Sequence, residues 1–142
     1  MKRIAIVTGA SRGIGREIAK MLAKEDIQVI ANYNNSEKKA IELQEELKKE
    51  NINIDIFKAD ISKREDARKL VEYTLERYKK IDILVNNAGI SEYKMFTEET
   101  DSDWNRVINN NLYSAFVMCQ EVIPNMIPVS YTHLTLPTKL EV

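Results

Sequence analysis

At 142 residues and 44% hydrophobic content, the chain is long enough to bury one core and short for two domains. Its formal net charge of -1 provides no basic field for a phosphate backbone, which argues against a nucleic-acid partner. No run approaches the roughly 20 apolar residues of a membrane span, and the apolar strand pattern starts too early to leave room for a signal peptide, so a soluble, cytoplasmic chain without a membrane partner is expected.

Ile4-Ala5-Ile6-Val7 is a nearly continuous apolar run, as in a parallel strand covered on both faces. It leads into Thr8-Gly9-Ala10-Ser11-Arg12-Gly13-Ile14-Gly15, and then Ile14, Ile18 and Leu22 take helical spacing. Ile27–Ala31 predicts a second strand. In the charged stretch from Glu37 to Glu50, Ala40, Leu43 and Leu47 form an apolar stripe and Glu45 stands four residues before Lys49, the pattern of a solvated helix face. Ile52–Phe57 predicts a third strand, followed by Ala59-Asp60-Ile61-Ser62 and a helix carrying Ala67, Leu70, Val71 and Leu75. A fourth strand, Ile81–Val85, ends at Asn86-Asn87-Ala88-Gly89. Such alternation implies right-handed crossovers onto a parallel sheet, an α/β class of Rossmann-like, doubly wound type with flanking helices and strand order third, second, first, fourth. The fourth strand is then an edge, with Ile81, Ile83 and Val85 beside unpaired backbone and prone to aggregation.

A long helical pattern follows: Trp104, Val107, Ile108, Leu112, Ala115, Phe116, Cys119, Val122, Ile123 and Met126. Two roles fit so broad a stripe, burial against the sheet and a subunit interface. The single cysteine, Cys119, can form no internal disulfide, and its apolar neighbours predict a buried thiol in a reducing compartment. From Pro128 to Thr138 the sequence has no Asp, Glu, Lys or Arg. That stretch, VSYTHLTLPT in particular, resembles a translated vector or adapter end; a native, flexible terminus is the alternative. The folded unit is therefore placed at residues 1–127 and a non-native or disordered tail at 128–142.

The chemistry lies at the strand ends. Glycines after the first strand allow a tight turn, close approach to a pyrophosphate and helix-on-strand packing, while the helix N-terminus offers N–H donors to an anion. Arg16 and Glu17 follow Gly15 where a nucleoside-triphosphate loop needs Lys and then Ser or Thr. The spacing Gly9-x-x-x-Gly13-x-Gly15, with Asp60, Asn86-Asn87-Ala88-Gly89 and Asn111 in order, resembles that of short-chain dehydrogenases/reductases over about residues 2 to 127. The resemblance implies a dinucleotide site built from Gly9, Ser11, Arg12, Gly13, Ile14, Gly15, Asn32, Tyr33, Asn34, Asp60, Ile61, Asn87, Ala88 and Gly89. It makes Asp60 an acceptor for the adenine amino group and Asn111 a member of a catalytic tetrad acting through a water-held proton relay. Each has a plainer reading: Asp60 as a turn cap, the Asn-Asn-Ala-Gly stretch as an ordinary loop, Asn111 as an ordinary helix residue.

Cofactor choice follows from charge. Asn32-Tyr33-Asn34 offers no carboxylate to a ribose 2′-hydroxyl, and Arg12 presents a planar fork suited to a 2′-phosphate, so NADP(H) is expected over NAD(H) and no metal is called for. The resemblance further implies a reductase for a small-molecule or carrier-bound ketone, similar to bacterial 3-oxoacyl-(acyl-carrier-protein) reductases, with a homo-oligomeric parent. Related reductases acting on modified elongation factor P are a neighbouring reading. In the family a tyrosine acts as general acid with a lysine four residues on. The residues four after Tyr33, Tyr73, Tyr78, Tyr93, Tyr113 and Tyr131 are Glu37, Arg77, Asp82, Thr97, Val117 and Thr135. None is lysine. Ser130, Tyr131 and the lone His133 lack a placed acid and make no nucleophilic site. The expectation is the N-terminal part of such an enzyme, a truncated sheet with the cofactor half and without the catalytic half; a non-catalytic dinucleotide-binding module or an inactive fragment is the alternative.

Overall fold

The apolar runs become a parallel sheet in the computed structural model, which describes residues 2–127; the predicted tail at 128–142 lies outside the described residues. The strands are β1 (Ile4–Val7), β2 (Gln28–Tyr33), β3 (Asp55–Lys58) and β4 (Ile83–Val85), in the order β3-β2-β1-β4. All pairings are parallel, with Ile6 opposite Ile30 on one side and Leu84 on the other. The expected strand order therefore holds, and β4 pairs with β1 alone among the described residues.

Helices cover both faces, which explains why the central strands carry no polar alternation. On one face α1 (Gly13–Lys24) and α2 (Glu37–Lys49) bury Ala19, Ala23, Leu43 and Leu47 against Val7, Val29 and Ala31. On the other, α3 (Arg64–Tyr78) and α5 (Ser114–Met126) bury Ala67, Leu70, Val71, Val117, Met118 and Val122 against Ile4, Ile6 and Ile30. Arg64 ties this second pair together, donating to Glu121 Oε1 at 2.9 Å and Gln120 Oε1 at 2.8 Å.

Strand boundaries shift for local reasons. Asn51 takes a left-handed φ of 60°, and the Ile52 N–H donates to the Leu47 carbonyl, so Ile52 closes α2 rather than opening β3. Ile81 is 1% exposed and packs in the core ahead of β4, not along an open edge as expected from the sequence. The Ile4 N–H is met by the Asp82 side chain at 2.7 Å. Glu45 and Lys49 are exposed, as the solvated helix face requires, and make no salt bridge to each other among the described residues. Instead Glu46 receives Arg16 and Lys20, and Glu50 receives Lys24, so α2 is pinned to α1.

The predicted long helix is interrupted. Thr100 and Asp103 form a reciprocal capping box that starts α4 (Asp101–Ile108), and a π-helical turn at Asn109–Tyr113 separates α4 from α5. The Ser114 N–H reaches back to the Asn109 carbonyl. One extra residue in the turn rotates the following stripe by roughly 100°, so a pattern drawn on a straight helix loses phase. Buried positions on α5 are Ser114, Val117, Met118 and Val122. Of the expected stripe only Val122 is fully buried, while Trp104, Leu112 and Phe116 are exposed. Cys119 is half-buried, not enclosed, and its Sγ lies 3.4 Å from Asn86 Nδ2.

At the far end of the sheet, Tyr73 and Tyr78 each donate to Asp55 Oδ2 at 2.9 Å. Burial, reinforced by the Asp55 carboxylate, pushes the Tyr73 phenol up to about 12 from its ordinary 10.0. The folded chain therefore holds the Tyr73 proton more tightly than the unfolded chain. The resulting stability is present below the unfolded value of 10.0 and is lost as pH rises towards about 12. Urea denaturation across this range is expected to show the decline, with a shallower slope for Tyr73→Phe; identical slopes would exclude Tyr73 as a source.

Candidate functional site

A cleft of about 450 Å³ opens at the C-terminal ends of the strands, beside the β1–β4 boundary where the strand order reverses. Open α/β sheets place ligands at such a switch point because the flanking loops diverge there. Its walls are the glycine-rich loop after β1, the Asn32–Ser36 segment after β2, Ala59–Ile61 after β3 and Asn87–Ile90 after β4, with Asn110 at the π-helical turn.

Two polar side chains lock the β1 and β4 loops together. Fully buried Thr8 accepts at Oγ1 from the N–H groups of Asn87 and Ala88, each at 3.0 Å, and donates to the Val85 carbonyl at 3.2 Å. In return Asn87 Nδ2 donates to the carbonyls of Thr8 at 3.0 Å and Gly9 at 3.2 Å. Gly9 has a φ of +63°, and a Cβ there would lie 2.8 Å from the Ala88 Cα. A Cβ on Gly15 would run into both Asn87 Nδ2 and the Gly9 carbonyl, so Gly15 stands behind the cleft and lets α1 close onto the loop. Gly13 and Ile14, at the start of α1, line the cleft itself. No acidic residue occupies the first turn of α1, which leaves the positive end of its dipole open to an anion.

The remaining predicted residues divide between lining and support. Ser11, Arg12, Tyr33, Asn34, Asp60, Ile61, Ala88 and Gly89 line the cleft. Arg12 is exposed and makes no salt bridge among the described residues. Asn32 also borders the cleft, but its buried amide is spent on the protein: Nδ2 donates to the Ala59 carbonyl at 3.1 Å and Oδ1 accepts from the Gly9 N–H at 3.4 Å. It joins three loops. Tyr33 donates its hydroxyl to Glu37 Oε1 at 3.1 Å, and burial together with that carboxylate raises its pKa. Asp60 acts as the turn cap that its plainer sequence reading gave and also lines the cleft. Its Oδ1 caps a turn by accepting from the Ser62 N–H and hydroxyl, while Oδ2 is approached only by Lys63 at 3.6 Å.

The short chain dehydrogenase family pattern matches residues 3–133. The chain belongs to this family. Among curated relatives, the 3-oxoacyl-(acyl-carrier-protein) reductase of Staphylococcus epidermidis is 36% identical over 127 residues, covering 89% of this chain and 52% of that protein. A hydroxynaphthalene reductase-like protein, Arp2 of Metarhizium guizhouense, is 37% identical over 132 residues, covering 93% and 46%. The chain thus spans about half the length of the curated relatives it matches. Among solved structures, a mutant short-chain dehydrogenase/reductase of Serratia marcescens superposes with a TM-score of 0.83 at 31% identity, over 87% of this chain and 51% of that one. A blue fluorescent protein from a metagenomic library, solved in complex with NADPH, gives 0.81 at 32%, with the same coverage.

Within this short-chain dehydrogenase frame, Asn111 sits outside the cleft lining, and its amide is fully engaged. Oδ1 accepts from the Ile90 N–H at 2.7 Å and Nδ2 donates to the Ile90 carbonyl at 2.8 Å. Both ends hold backbone, so its side chain positions the loop after Gly89. Sequence reasoning missed Asn35, Ser36, Ala59, Ile90 and Asn110 in the lining. All lie within two residues of a predicted site residue, and reading whole strand-end loops rather than motif letters recovers them. No group of three or more metal-ligating side chains occurs, and no helix is long and apolar enough to cross a membrane, both among the described residues.

The Thr8–Asn87 lock is directly testable. Thr8→Val leaves the Ala88 N–H without its acceptor and the Asn87 N–H with only the Val85 carbonyl at 3.1 Å, and is expected to cost about 1–3 kcal/mol in urea denaturation, with Thr8→Ser recovering most of the loss. Equal stability of Thr8→Val and wild type would mean that those N–H groups find another partner.

Proposed function

We propose that this chain forms the NADP(H)-binding part of a ketone reductase similar to 3-oxoacyl-(acyl-carrier-protein) reductases. The observation that carries the reading is one cleft holding an unpaired Arg12 guanidinium opposite a β2 terminus, Asn32–Asn34, that has no carboxylate. A carboxylate there would repel a 2′-phosphate, and the Arg12 fork attracts one. The donor set suits the rest of the dinucleotide. Open N–H groups at the start of α1 suit the pyrophosphate, and the missing Cβ at Gly13, whose position faces open space in the cleft lining, gives close backbone approach. The Oδ2 of Asp60 is open to the adenine amino group. The NADPH complex of a structural neighbour supports the same choice.

When bound, the nicotinamide supplies hydride to a carbonyl. This chain's residues bind and orient: Arg12 holds the phosphate end, Gly13–Gly15 the diphosphate, and Asn111 fixes the Ile90 backbone near the nicotinamide side. The reductase names of the curated relatives support a small-molecule or carrier-bound ketone as substrate, and modified elongation factor P is a neighbouring substrate reading. Exposed Trp104, Leu112 and Phe116 support a homo-oligomer. A second reading is a non-catalytic dinucleotide-binding module, since the cleft lining among the described residues supplies nucleotide-binding groups and no lysine. On either reading this chain binds NADP(H).

Arg12→Ala is expected to weaken NADPH binding by about 1–3 kcal/mol and NADH binding by much less, measured by calorimetric titration. Equal losses would remove Arg12 from phosphate recognition. With a β-ketoacyl thioester the 142-residue chain is expected to oxidise NADPH no faster than a protein-free control, because a missing general acid alone forfeits about 10²- to 10⁴-fold. Turnover that survives repurification would contradict this.

A further inference from the structure

Arg16 lies behind the cleft rather than in its lining. It is the first residue after Gly15, and its half-buried side chain reaches three places at once. Nη1 donates to the Lys39 carbonyl at 3.0 Å and to the Ser11 carbonyl at 3.5 Å, and Nη2 donates to Glu46 Oε2 at 2.6 Å. Ser11 belongs to the glycine-rich wall. Lys39 lies in the first turn of α2, three residues after Ser36, which belongs to the facing wall.

We infer that Arg16 is a positioning residue that sets the spacing between Arg12 and the Asn34–Ser36 segment, and so tunes recognition of a nucleotide 2′-phosphate. The inference rests on the nucleotide reading above. One nitrogen shared between the Ser11 carbonyl in one wall and the Lys39 carbonyl in the helical turn that follows the other couples the separation of the two segments. The Glu46 contact orients the guanidinium plane that makes this possible. A rigid, planar fork holds these acceptors in one fixed geometry, whereas the three donors of an ammonium rotate on a flexible stem. A partly exposed ion pair adds little to stability by itself, so the consequence of this arrangement falls on geometry. Lys20 provides the internal control, because it also binds Glu46, at 2.7 Å, without the contacts to either wall that Arg16 makes.

The probes are 2′,5′-ADP and 5′-AMP, titrated calorimetrically into the 142-residue chain. They differ in the 2′-phosphate and need no nicotinamide site. Wild type is expected to prefer 2′,5′-ADP. Arg16→Ala is expected to lose about tenfold in affinity for 2′,5′-ADP with less than about twofold change for 5′-AMP. Arg16→Lys gives an intermediate loss at near-normal melting temperature, and Lys20→Ala leaves the preference unchanged. A merely structural role would lower both affinities together, so an unchanged preference in Arg16→Ala overturns the inference alone. Should Arg16→Ala not fold, an unchanged preference in Arg16→Lys overturns it equally. A shift in Lys20→Ala as large as that in Arg16→Ala also overturns it, by assigning the effect to Glu46. Wild type with no preference for 2′,5′-ADP overturns the cofactor reading, and this inference with it.

Discussion

The site depends on the mutual hydrogen bonding of Thr8 and Asn87. β1 and β4 end side by side with no chain connection between them, and their loops must leave the sheet at a fixed angle for a cleft to exist. Thr8 Oγ1 gathers the N–H groups of Asn87 and Ala88 while Asn87 Nδ2 gathers the carbonyls of Thr8 and Gly9. Four backbone polar groups at the sheet's end are satisfied by two side chains, which ties the two loops together. The lack of a Cβ at Gly9 and Gly15 follows from the same constraint, since Asn87 and Ala88 occupy the space that side chains there would need.

From that lock the cleft is assembled loop by loop through side-chain amides, one buried and one exposed. Asn32 joins the β2 and β3 ends to Gly9, and Asn111 clamps Ile90 at both its N–H and its carbonyl. These amides carry no net charge, so the field inside the cleft is set by few groups. Arg12 and the open end of α1 are positive, and Asp60 is the one lining carboxylate, on the far side beyond β2. This division favours an elongated ligand with anionic groups near the glycine-rich loop and a hydrogen-bond donor at Asp60.

The parallel sheet was legible because its strands are buried on both faces and read as unbroken apolar runs, and because the crossovers allow one handedness. The cleft was legible where backbone sterics demand particular residues, as at Gly9 and Gly15, whereas the Thr8–Asn87 hydrogen bonding spans 79 residues and leaves no local pattern. Periodicity failed at α4 and α5, where the π-helical turn at Asn109–Tyr113 changes phase in a way no hydrophobic pattern announces. Charge spacing showed the solvated face of α2, where Glu45 and Lys49 are exposed, but not the face turned to α1. Glu45 and Lys49 satisfy the local rule, yet Glu46 and Glu50 face α1 and take the cations there. Local spacing cannot reveal a partner brought near by the fold. Arg16 went unread for the same reason, since its three acceptors lie 5, 23 and 30 residues away in sequence.

The central claim is that four strand-end loops act as one phosphate-directed nucleotide cleft. Amide chemical-shift mapping of the isotope-labelled chain during an NADP⁺ titration tests it most directly. The account predicts saturable shifts concentrated at Gly9, Arg12 to Gly15, Asn34 to Ser36, Asp60 and Ala88 to Ile90. Saturation with the largest shifts at the opposite end of the sheet, around Asp26 and Asn51, or no shift at Arg12 and Ser36 at any concentration, would contradict it.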